Sequence, residues 1–187
     1  MKRPATASVV VFVAVILVAA VIAGILRFGT DGATAITVGD TKVSAESVND
    51  ELSQWADFRP AQARTTSGAV DSRIGASIAT QIVWEQLVDE FLDGAGEGVT
   101  AADRATARDT VSGSSFSRLP KWFQDRYLDR VAAFAAFSRV KGDANDQNAE
   151  LQVLRRLAAH TDITVDRAYG VWNPAKAQVV PWPSPGS

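Results

Sequence analysis

From Ser8 to Leu26 the chain runs for nineteen residues without a charge, mostly Val, Ile, Ala and Leu; beyond it, apolar positions recur in short periodic blocks. As a helix the first run would span about 28 Å, close to the hydrocarbon thickness of a bilayer. It has no polar face, which argues against a buried helix of a soluble domain. Lys2 and Arg3 precede it, an order that places the N-terminus in the cytoplasm and the remainder outside. The run exceeds the ~7–15-residue core of a cleaved signal peptide, and the small-residue sequence Ala33-Thr34-Ala35 lies well past it. Residues 1–27 are therefore expected to form an uncleaved single-pass anchor in contact with membrane lipid; cleavage would instead give a secreted protein.

Residues 28–35, rich in Gly, Thr and Ala, read as a linker. Ile36, Val38 and Val43 around Gly39-Asp40 predict a β-hairpin over 36–43. Ser44 is placed to cap a helix with Glu46 in its first turn, and Val48, Leu52 and Trp55 give that helix one apolar stripe. Pro60 closes it, and 60–70 reads as a loop. From about Asp71 to Asp93 the apolar positions are so dense (Ile74, Ile78, Ile82, Leu87, Phe91, widened by Val83, Val88 and Leu92) that burial on more than one side is expected. Gly94, Gly96 and Gly98 stop this central helix. Thr100-x-x-Asp103 is a capping signature for a short helix to about Val111. After a Ser/Gly loop, Leu119-Pro120 opens a helix carrying Phe123, Tyr127, Val131, Phe134 and Phe137 on one face, ended by Gly142. A last helix covers roughly Asp146 to His160. An isolated hairpin is marginal in water, and Ile163 and Val165 alternate with polar residues. The segment 162–166 is thus expected as a third strand closing against the hairpin. The prediction is a mainly α fold with a small β element, one domain over 36–172, and a loose C-terminal tail from Asn173 to Ser187. In that tail, Val179-Val180-Pro181-Trp182 reads as a short docking segment for the domain's own groove or a partner, or as a sticky end.

Charge and chemistry narrow the function mostly by exclusion. Setting aside Lys2 and Arg3, seventeen basic residues face 21 acidic ones, not the basic footprint of a nucleic-acid binder. No cysteine and a single histidine, His160, leave no typical zinc set, thiol nucleophile or disulfide. The glycines at 94, 96 and 98 follow a helix rather than a strand, so they do not make a nucleotide loop. Glu85, Asp89 and Asp93, with Glu90 beside them, read as a solvated acidic face. Arg118, Lys121, Arg126, Arg130, Arg139 and Lys141 make 118–141 basic, to pair internally with that face or to meet anionic lipid. No catalytic residue, cofactor or metal is expected.

Aromatic residues carry more information. Of Trp55, Trp84, Trp122, Trp172 and Trp182, Trp84 lies in the central helix and reads as core. Trp122 and Phe123 are adjacent and cannot point the same way; one is left for the surface or packs beneath the neighbouring loop. Trp55, Trp122, Phe123 and Phe137 are the candidate ligand-binding aromatics, because exposed rings mark apolar binding surfaces.

The order of these elements resembles the N-terminal chaperone domain of the SurA family, related to PrsA-type foldases and the trigger-factor C-terminal lobe. Val38-Gly39-Asp40-Thr41-Lys42-Val43-Ser44 is similar to the family's V-N-G-x-x-I-S opening. Leu87-Val88-Asp89-Glu90, followed by Gly98 and Thr100, is similar to its Leu-Ile-Asp-Glu helix running into a glycine and a capped helix. Val165, Asp166, Tyr169, Gly170, Trp172 and Pro174 match a V-D-P-R-Y-G-x-W-D-P strip of actinobacterial-type members. Arg167, Ala168 and Asn173 depart from it. The likeness covers roughly 36–174. It implies the chaperone part without the parvulin isomerase, hence no enzyme activity: an extracytoplasmic protein that holds unfolded or exported polypeptides in an apolar groove. The alternative is a scaffold subunit that binds one cell-envelope partner through the same fold.

Overall fold

The computed structural model describes residues 32–58, 63–65, 68, 70–111, 116–142 and 147–182. The expected anchor, Ser8 to Leu26, lies outside them. Among the described residues no helix is long and apolar enough to cross a membrane. The order is β1 (Thr34–Val38), β2 (Thr41–Ser44), α1 (Ala45–Phe58), α2 (Ser72–Gly94), α3 (Ala101–Val111), a 3-10 turn (Phe116–Arg118), α4 (Lys121–Lys141), α5 (Gln147–His160), β3 (Ile163–Val165), β4 (Val171–Asn173) and β5 (Gln178–Val180). The protein is mainly helical with two small antiparallel sheets. The described residues fall into two compact units. One comprises residues 87–153; the other joins the described residues up to Gln86 with those from Leu154 onward.

In the second unit the hairpin turns at Gly39, whose positive φ of 55° at the first turn position is what a two-residue connection reserves for glycine. The expected third strand is present. The sheet order is β2-β1-β3, with Ile36 opposite Val165 and Val38 opposite Ile163. Gly39 N–H donates to Asp162 O at 2.9 Å and Asp166 N–H to Ala35 O at 2.7 Å, fastening both ends of β3. Ser44 caps α1 as its position predicts, its hydroxyl accepting Ser47 N–H at 3.2 Å. Val48 and Leu52 of α1 are fully buried.

The dense apolar pattern of α2 is matched by its burial: Ile78, Ala79, Ile82 and Val83, and further along Leu87, Val88 and Leu92, lie inside. Its start is capped by Asp71, whose Oδ1 accepts Arg73 N–H at 2.9 Å.

The tail departs from expectation. Residues from Asn173 to Val180 are not loose: β4 and β5 pair antiparallel, Val171 opposite Val180 and Asn173 opposite Gln178. Ala177 and Val179 are buried. This hairpin is bonded to the first half of α2. Trp84 Nε1–H donates to Ala177 O at 2.6 Å, and Val179 N–H donates to Thr80 Oγ1 at 2.8 Å. Val179 is thus bonded to the chain's own helix α2. Gly170 makes the approach possible. Its φ is 132°, and a Cβ there would sit 2.5 Å from Val180 O.

Candidate functional site

In the unit formed by residues 87–153, α3 and α4 pack along a small apolar seam. Ala107, Val131 and Ala132 are its buried centre, flanked by Val99, Val111, Tyr127 and Leu128. Both helices are well anchored at one end. Thr100 and Asp103 form a full capping box: Asp103 Oδ2 accepts Thr100 N–H at 2.9 Å, and Thr100 Oγ1 accepts Asp103 N–H at 3.2 Å. Arg139, near the end of α4, reaches across to the same carboxylate through Nε and Nη2, and to Glu97 Oε2 and Gly98 O through Nη1 and Nη2. Burial alone would raise the Asp103 carboxyl. The hydrogen bonds from Thr100 and Arg139 outweigh it and hold the group below the ordinary carboxylate range. Hydrogen bonds to Asp103 and Glu97 in turn raise the Arg139 guanidinium. Among the basic residues of 118–141, then, Arg139 meets Glu97 and Asp103 rather than the acidic face of α2, and Lys121 pairs with Asp125 on its own helix.

Beyond this clamp, α3 and α4 leave a cleft of about 430 Å³ between them, lined by Arg104, Arg108, Lys121, Asp125, Leu128 and Asp129. Arg104 and Arg108 are one helical turn apart on α3, as Lys121 and Asp125, and Asp125 and Asp129, are on α4. Leu128 joins the cleft to the apolar seam. Trp122 follows Lys121 in the first turn of α4 and is 45% exposed. It sits three and seven residues before Asp125 and Asp129, hence on the same side of the helix.

The four candidate aromatics separate. Trp122 and Phe123 meet edge to face at 5.6 Å, and of the two it is Trp122 that lies at the surface. Phe123, 2% exposed, stacks with Tyr127 at 6.5 Å and belongs to the interior. Phe137 is fully buried, edge-on to Phe91 at 5.0 Å. Neither offers a ring to a ligand, which corrects the expectation for both. Both positions are among the buried residues of α4. Trp55 belongs to the other unit, half-buried, with its ring 6.1 Å from Phe58. Among the described residues the large hydrophobic side chains left exposed are Trp122 and Trp182. The Arg167 guanidinium lies over the Trp182 ring at 4.8 Å.

The cleft was missed in the sequence, although a signal was there: two arginines four apart on a capped helix, and two aspartates four apart on the next. What could not be read was that the two rows line the same gap. His160 is exposed at the end of α5. Among the described residues no group of His, Cys, Asp and Glu is placed to hold a metal ion. Comparison with protein families, with characterised proteins and with solved structures finds no match to this chain.

Proposed function

We propose that this protein is a non-enzymatic polypeptide-binding module, tethered to the cell membrane by Ser8 to Leu26 and facing outward, with a fold of the SurA N-terminal type. It docks one envelope partner through the face of α4 that carries Trp122. The observation that carries this reading is Trp122 itself. It is a large aromatic ring, 45% exposed on an ordered helix, beside a cleft rather than within the core. Tryptophans in such positions dominate protein interfaces, because one rigid side chain removes a large apolar area from water on docking. Two isolated exposed tryptophans among the described residues suit recognition of one partner better than the broad apolar surface a general holder of unfolded chains uses.

The test is photo-crosslinking from a benzoylphenylalanine placed at position 122 of the full chain in its native membrane. One stoichiometric adduct is expected. No adduct overturns the reading.

A second reading, a chaperone for exported polypeptides, is favoured by the order of the elements: hairpin, helix, long helix, capped helix, helices and closing strand. It predicts many adducts from position 122 and suppressed aggregation of an unfolded client. Neither reading involves a metal, a nucleotide or prolyl isomerisation.

A further inference from the structure

The cleft between α3 and α4 has charges of both signs on its walls, and its unmatched charges are divided by helix. On α4, Lys121 and Asp125 are already paired with each other. That leaves Asp129, whose carboxylate has no hydrogen bond or ion pair with any other described residue. On α3, Arg108 is likewise without such a partner, and Arg104 gives one nitrogen to Val99 O at 3.3 Å, leaving the rest of its guanidinium to the cleft. Arg108 and Asp129 line one gap without closing on each other, and Leu128 lies with them on its wall.

Such a cleft discriminates by charge pattern. An anion drawn to Arg104 and Arg108 meets Asp129 across the gap, and a cation drawn to Asp129 meets two arginines. For a ligand of one sign, repulsion at the ~4–8 Å separations of side chains in one cleft offsets part of the attraction: Asp129 opposes an anion held by two arginines, and two arginines outweigh the one aspartate that draws a cation. A ligand with an acidic group toward α3 and a basic group toward α4 gains on both sides, with its apolar atoms against Leu128. Resting on the polypeptide-binding reading above, we propose that the cleft takes an amphoteric peptide segment of the partner, in which an acidic and a basic side chain flank an apolar one, next to the residue that Trp122 anchors. Opposed charges of this kind set the orientation and register of a docked chain more than its overall affinity.

The experiment uses the full chain in zwitterionic nanodiscs, with empty nanodiscs as the blank, and three fluorescein-labelled twelve-residue peptides: one of repeating Glu-Leu-Lys, one of Glu-Leu-Glu and one of Lys-Leu-Lys. Fluorescence anisotropy is expected to show the amphoteric peptide binding at least tenfold more tightly than either single-sign peptide. R108E and D129K are each expected to weaken it fivefold or more. Both side chains are exposed and without described partners, so melting and circular dichroism of the variants should match the parent. Equal binding of a single-sign peptide, or amphoteric binding unchanged in both charge variants, overturns the proposal. Binding lost in W122A but unchanged in R108E and D129K discards the cleft and leaves docking at Trp122 standing. A position-122 photo-crosslinker that captures nothing while R108E and D129K still weaken the peptide discards the Trp122 reading instead.

Discussion

Thr80 makes two bonds with one hydroxyl: it donates to Ala76 O at 2.8 Å and accepts Val179 N–H at 2.8 Å, both buried. Thr80→Val keeps the shape and removes the acceptor, stranding a buried N–H. Denaturant unfolding is expected to show a loss of about 1–3 kcal/mol. Gly170→Ala is harsher, since the added Cβ would press on the backbone of Val180 at a positive φ. A loss of at least about 3 kcal/mol is expected in the same measurement. Tyr169 gives a pH signature. It is buried, its hydroxyl donating to Asn49 Oδ1 at 2.8 Å and lying within 3.4 Å of Ala45 O. Burial first, and the nearby Asp166 charge second, push its phenol up to about 12, against a smaller opposite pull from the Asn49 bond. Because the folded value lies above the ordinary one near 10, the stability linked to the neutral phenol is intact below about pH 10. It is lost as pH rises from there through about 12. Melting temperatures between pH 9 and 11 should fall more steeply for the parent than for Tyr169→Phe; parallel curves would refute this assignment.

At the scale of elements, the C-terminal hairpin matters most. The first half of α2 buries Ala76, Ile78, Ala79, Ile82 and Val83, and β4–β5 supplies partners for Trp84 and Thr80. Ending the chain at Asp166 retains β3 but removes Tyr169, Val179 and the acceptor of Trp84. Burying one Val side chain is worth about 1.5–3 kcal/mol and each internal hydrogen bond about 1. The melting transition that reports on Trp84 should therefore drop by at least about 10 °C. An unchanged melt would mean that the hairpin is an ornament on an already stable unit. The α3 start was legible to the residue, since Thr100 and Asp103 satisfy each other locally. The role of Arg139 was not: its partners Glu97 and Asp103 lie 42 and 36 residues away.

For the whole molecule, the proposed docking role predicts that binding and stability come apart at Trp122. Trp122→Ala should reduce capture of the envelope partner tenfold or more in a quantitative crosslinking assay. Its stability should stay within about 0.5 kcal/mol of the parent, as for an exposed site. Phe123→Ala should do the reverse, because its ring is buried against Tyr127. It is expected to cost about 3–5 kcal/mol. A Trp122→Ala protein that binds normally would remove the interface from this face of α4.

What the sequence determined by itself was whatever depends on neighbours along the chain. Gly39 fixed a tight turn, Ser44 and Thr100 fixed helix starts, Gly142 fixed an end, and periodicity separated helices from strands. The alternation of Ile163 and Val165 even indicated the third strand, because a bare hairpin lacks enough cover. Tertiary structure alone decided which side of α4 is inside, and so whether Trp122 or Phe123 meets solvent. It also decided that the arginines of α3 and the aspartates of α4 line one cleft, and that the segment Val171–Val180 is a hairpin docked on α2. The reason is physical: a helical or strand period assigns residues to faces, but which face is covered depends on segments far away in the chain. For Val179 that segment is Thr80, 99 residues distant, and only the folded chain brings the two within a hydrogen bond.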